Sequence, residues 1–134
     1  MSNTEAIWSN GINDTGVVRN EADFVVHSDW EFRYEPVWRL YGAVAEVHIG
    51  LTRIGPDYPA ALTGTNAGDI PARDVVHVPT PIRPPQDFPI TMRGSMGVWG
   101  GVIKRSAEIT INSGPPGAVF ATGDFLVIHS VYLV

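Results

Sequence analysis

Glycine and proline are spread so evenly along this chain that a helix of ordinary length has nowhere to run. Fourteen Gly and eleven Pro punctuate the 134 residues. Inside a helix, Gly costs about 1 kcal/mol and Pro about 3 kcal/mol relative to Ala. The stretches between them are rich in Val and Ile, whose branched Cβ suits a pleated strand. They also alternate in polarity with period two. In "WRLYGAVAEVHIGLTRIG" the apolar residues Val47, Ile49 and Leu51 fall on odd positions, and Glu46, His48, Gly50 and Thr52 face the other way. "RDVVHVPT" sets Val76 and Val78 against His77, and "SAEITINSG" sets Ile109 and Ile111 against Glu108, Thr110 and Asn112. "DFVVHSDWEFRY" reads as one or two strands with Phe24, Val26, Trp30 and Phe32 on one face.

Gly- and Pro-rich turns such as "RIGPDYP", "TGTNAGDIPA", "TPIRPPQDFP" and "NSGPPG" separate these strands. Short strands at this spacing predict a single all-β domain. The expected architecture is an antiparallel β-sandwich, jelly-roll-like or a small barrel, spanning residues 23–134. Residues 1–22 precede it as an N-terminal arm or docking segment. The last strand, in "FLVIHSVYLV", is apolar on both faces. It therefore needs cover on both, as a central strand or at a subunit interface. Phe125, Val127, His129, Val131 and Leu133 are the candidate oligomer-interface residues.

Charge bears on partners. The net charge is −5, which disfavours a nucleic-acid partner or an anionic membrane surface. The excess is local: Glu5, Asp14, Glu21, Asp23, Asp29, Glu31 and Glu35 face only Arg19 and Arg33 in the first 35 residues. No apolar run approaches the roughly 20 residues of a membrane span, so no membrane insertion is expected. The start "MSNTEAIWSNG" lacks the basic and apolar regions of a signal peptide. The expectation is folding in a cytoplasm.

Catalytic and metal motifs are hard to find. There is no Cys, no G-x-S-x-G elbow, no phosphate loop and no dinucleotide fingerprint. Asp29, Glu31 and Glu35 read as a solvated face, and "NDT" at Asn13 as a chance sequon. His27, His48, His77 and His129 each stand alone in a candidate strand. Zinc sites usually draw a close pair of ligands from one segment, so these four read as exposed or hydrogen-bonded strand histidines. A trimer would triplicate a His lying near its axis. No catalytic residue, metal site or cofactor is assigned, and the chain is expected not to be an enzyme.

Aromatic residues offer a better lead. Trp38 reads as a core or lid residue. Trp99 lies in "RGSMGVWGGV" among Gly94, Gly97, Gly100 and Gly101. It either packs under a close-passing backbone or projects toward a sugar or protein partner. Trp99, Tyr58, Asn66 and Arg83 are the candidate ligand-binding residues.

The order of elements also carries a resemblance. "LTRIG" (Leu51 to Gly55), Arg83–Pro84, "EITI" (Glu108 to Ile111), Gly123–Asp124 and Tyr132–Leu133 follow one another along residues 38–134. This succession resembles the small C-terminal β-sandwich of minor tail and tail-fibre proteins of phages infecting actinobacteria. The loop "HVPTPIRPP" departs from that pattern in lacking a glycine before Arg-Pro. The resemblance implies a structural protein of the virion, made in the host cytoplasm. It further implies a homotrimer at the tail tip, with other virion proteins as partners and a host-surface glycan as ligand. Capsid decoration is the alternative within that class; a carbohydrate-binding module is the rival from another.

Overall fold

The structure, a computed structural model, describes residues 14–58 and 61–134. Trp8, the Asn13 sequon and the arm before Asp14 lie outside the described residues. The strands are β1 (Val18–Arg19), β2 (Val25–Val26), β3 (Trp30–Phe32), β4 (Val37–Tyr41) and β5 (Val44–Arg53). They continue with β6 (Asp69–His77), β7 (Phe88–Gly94), β8 (Gly97–Ile103), β9 (Glu108–Ser113) and β10 (Phe125–Leu133). Among the described residues the only helical pieces are single 3₁₀ turns, as the Gly and Pro spacing requires. The all-β, antiparallel class expected from the sequence is what the chain adopts.

The sandwich and barrel expectations merge, because all ten strands belong to one sheet, in the order β1-β4-β5-β10-β7-β8-β9-β6-β2 with β3 also on β5. The sheet curls into a half-barrel. Consecutive strands β2 and β3 lie on opposite margins: β2 pairs with β6, β3 with β5. The chain between them ties the margins together and holds the curl. The arm boundary at residue 22 shifts accordingly. Asp14 bridges Tyr41 and β1 pairs with β4, so the sheet already includes residues the sequence assigned to the arm.

Period-two alternation sets the inner face. Ala45, Val47, Ile49 and Leu51 of β5 are fully buried beside Leu126, Ile128 and Tyr132 of β10. The Tyr132 hydroxyl donates to the Ile82 carbonyl at 2.6 Å, and burial pushes its pKa well up. At one end of the core four aromatic rings meet. Phe120 lies 5.0 Å from Trp30, 4.7 Å from Trp99 and 6.2 Å from Tyr58, centroid to centroid. Arg53 sits among them, 2 % exposed, its Cζ 4.3 Å from the Tyr58 ring and 5.1 Å from that of Trp30. Its Nε and Nη2 both donate to the Pro56 carbonyl, at 3.0 and 2.8 Å. Asp29 stands 3.7 Å from Nη2, so this acid is structural rather than a solvated bystander.

One join in the sheet is incomplete. β10 pairs with β5 along its whole length, from Phe125 opposite Thr52 to Leu133 opposite Val44. Toward β7 it pairs only at Leu126 and Val127. The Phe125 carbonyl accepts from Ser95 on the β7 side, while the Asp124 carbonyl accepts from Arg53 on the β5 side. Alternation then turns the backbone groups of His129, Val131 and Leu133 toward β7. Extending the register would set Val131 against Pro89, which has no N–H to give. The two strands part there, leaving an open cleft lined by Pro89, Ile90, Thr91, His129, Ser130 and Val131.

Candidate functional site

Register across β4, β5 and β10 composes the outer face row by row. Val37, His48 and His129 form one row; Arg39, Glu46 and Val131 the next; Tyr41, Val44 and Leu133 the third. Arg19 of β1 extends the first row beside Val37. These residues point outward because their neighbours in the chain fill the core. The third row follows from a tight turn: Gly42, at φ 60°, takes the left-handed conformation that lets Tyr41 and Val44 face each other.

Polar groups on this face are linked. Tyr34 lies against the bare Cα of Gly50, where a Cβ would strike its ring, and its hydroxyl meets His48 Nε2 at 3.0 Å. The His48 and His129 rings, directly opposite across the strands, are 5.3 Å apart. His129 Nε2 donates to Glu46 Oε2 at 2.8 Å. Arg39 holds Asp14 through Nε at 3.0 Å and Nη2 at 2.5 Å. That pair, with the Gly16 N–H, keeps the Asp14 carboxyl below the usual carboxylate range. Burial raises the Tyr34 hydroxyl, opposed by Arg33. Around these groups stand exposed apolar side chains: Leu133 at 67 %, Val17 at 57 %, Val131 at 55 % and Tyr41 at 45 %.

The structure separates the sequence candidates. Trp99 is 1 % exposed and Tyr58 4 %, so neither can be a surface contact residue, and both are corrected to core. Of the two readings open for Trp99, the close-passing backbone is the one realised. Cβ atoms placed on Gly94 and Gly114 would run into its indole, so those glycines are what let the ring bury. Asn66 and Arg83 are exposed, each on its own turn, and Arg83 closes the Thr80–Ile82 turn through its backbone N–H. On β10, His129, Val131 and Leu133 are exposed, while Phe125 and Val127 are half-buried. Phe125 lies under the Arg33 guanidinium at 5.4 Å.

A second polar cluster sits on the other half of the sheet. Asp74 of β6 accepts from Thr110 Oγ1 at 2.6 Å and from Lys104 Nζ at 3.5 Å. Its hydrogen bond with Glu108 holds Asp74 below the usual range and Glu108 above it. The pocket beside it is walled by Val25, Val26, Val75 and Val76. Among the described residues no three or more His, Asp or Glu side chains converge as a metal site, and no helix is long and apolar enough to cross a membrane.

Sequence reasoning missed the Tyr34–His48–His129–Glu46 chain. His129 and Glu46 lie 83 residues apart, and only the β5–β10 register brings them together. Comparisons with protein-family models, curated proteins and solved structures find no match to this chain.

Proposed function

We propose that this chain is a structural component of a phage virion, a homotrimer at the tail tip that takes part in host-surface recognition. It binds rather than catalyses. The observation that carries the assembly part is the outer face of β4, β5 and β10, where Tyr41, Val44, Val131 and Leu133 stand exposed in adjoining rows. Contiguous apolar surface of this kind is typical of an interaction site. Its occupant in this reading is a second copy of the same chain, which a cyclic assembly would supply on every subunit. The place in the virion rests on the resemblance of residues 38–134 to minor tail domains. Assembly is favoured over the sugar-binding alternative because Trp99, the anchor that reading relied on, is buried, as are Trp30 and Trp38.

The test is mass in solution. Sedimentation equilibrium should give three times the 14.5 kDa chain mass. Leu133→Glu combined with Val131→Glu should reduce this to one chain, because each charge would be desolvated in the interface. Both positions are exposed, so the variant should keep the wild-type circular dichroism. A monomeric wild-type protein would overturn the assembly reading.

A further inference from the structure

The geometry points to a metal-binding site that the isolated histidines of the sequence do not announce. We propose that His48 and His129 chelate one divalent transition-metal ion of the zinc, nickel or copper class through their Nδ1 atoms. Three features of the outer face carry this. First, β5 and β10 fix the two residues directly opposite each other, on a long, fully paired ladder, so the chelate is preorganised by backbone. Second, the ring separation suits it. With metal–nitrogen bonds of about 2.0–2.1 Å at a roughly tetrahedral angle, two ligating imidazoles have centres about 5 Å apart. Here they are 5.3 Å apart.

Third, the Nε2 atom of each ring is already engaged. His129 Nε2 donates its proton to Glu46 Oε2 at 2.8 Å, which leaves the lone pair on Nδ1. His48 Nε2 is 3.0 Å from the Tyr34 hydroxyl; in the proposed site Nε2–H donates to that oxygen, which gives the same tautomer. A carboxylate or other acceptor on the distal N–H is the usual support of a ligating histidine, raising its basicity and setting the ring plane. No hydrogen bond is made by either Nδ1 among the described residues. Both side chains are exposed, so water can fill the remaining coordination positions, and imidazole nitrogen selects this class of metal over magnesium or calcium. Both ligands come from one chain, so the site does not rest on the trimer reading.

Isothermal titration of the full chain with Zn²⁺ and Ni²⁺, followed by ¹H–¹⁵N spectra, tests it. One ion per chain should bind with micromolar affinity, moving the resonances of His48 and His129, while Mg²⁺ moves neither. His48→Ala and His129→Ala should each weaken binding at least tenfold. Glu46→Gln should weaken it about tenfold through loss of the supporting carboxylate, and His27→Ala and His77→Ala should leave it unchanged. Thermal melts check that each exposed variant folds. Unchanged affinity in either His48→Ala or His129→Ala, or no binding by the wild type at millimolar metal, would overturn the proposal.

Discussion

Arg53 is the residue on which the aromatic end of the core depends. A guanidinium that is 2 % exposed must be repaid for its lost hydration. It finds two hydrogen bonds to Pro56, two aromatic faces and the Asp29 carboxylate. Only a planar fork satisfies all of these at once. Arg53→Lys keeps the charge and loses the fork. It should destabilise the fold by about 2 kcal/mol or more, since hydrogen bonds to charged groups contribute about 1.5–3 kcal/mol each. Urea unfolding followed by tryptophan fluorescence measures this, and a loss under about 0.5 kcal/mol would show the fork to be dispensable. Nothing in "LTRIG" itself announces a buried arginine, because its partners lie outside it, in Asp29 and Trp30 and in the turn at Pro56 and Tyr58. Trp99 was half legible for the opposite reason. Its glycine neighbours signalled close backbone, but only the position of Gly114 decided that the indole turns inward.

At the scale of elements, strand faces were legible and strand partners were not. Period-two alternation placed Val47, Ile49, Leu51, Ile109 and Ile111 inside, and all five are fully buried. Register between distant strands leaves no such trace, which is why the His48–His129 pair and the Asp74–Glu108 pair appear only in the fold. The carboxyl pair joins β6 to β9 and makes that ladder sensitive to pH. Asp74 is depressed by its hydrogen bonds to Glu108 and Thr110, so its contribution is present above the usual Asp value and lost as pH falls through the depressed one. Glu108 is raised by its hydrogen bond to Asp74. Its contribution is therefore present below the usual Glu value and lost as pH rises through the raised one. The pair supports the ladder best around its reference values of 3.8 and 4.5; at neutral pH the Glu108 contribution is gone and that of Asp74 remains. Glu108→Gln, which keeps a donor for Asp74 at every pH, should raise stability at pH 7 by less than about 1 kcal/mol, both groups being partly in water. It should also flatten the profile between pH 4 and 7. Denaturant midpoints across that range check the sign; a less stable variant at pH 7 would refute it.

Among the described residues the strands form one sheet bent on itself, and that single fact ties the fold to what its surfaces can do. The all-β class could be read from Gly, Pro and alternation, because those are local constraints. The curl could not, because it depends on β2 and β3 reaching opposite margins. The incomplete join between β10 and β7 has a consequence in time as well as in shape. Within one strand, the amides of Ile128, Ser130 and Tyr132 are committed to β5, while those of His129, Val131 and Leu133 have no β7 partner, the first two at the cleft beside Pro89. Native-state hydrogen exchange should therefore run at two speeds along β10. The even-numbered amides should wait for global opening, and the odd-numbered ones should exchange at least tenfold faster from the folded state. Uniform protection from Ile128 to Leu133 would mean that the seam is closed in solution. An alternating record would make this strand its own stopwatch, timing the core on one edge and the seam on the other.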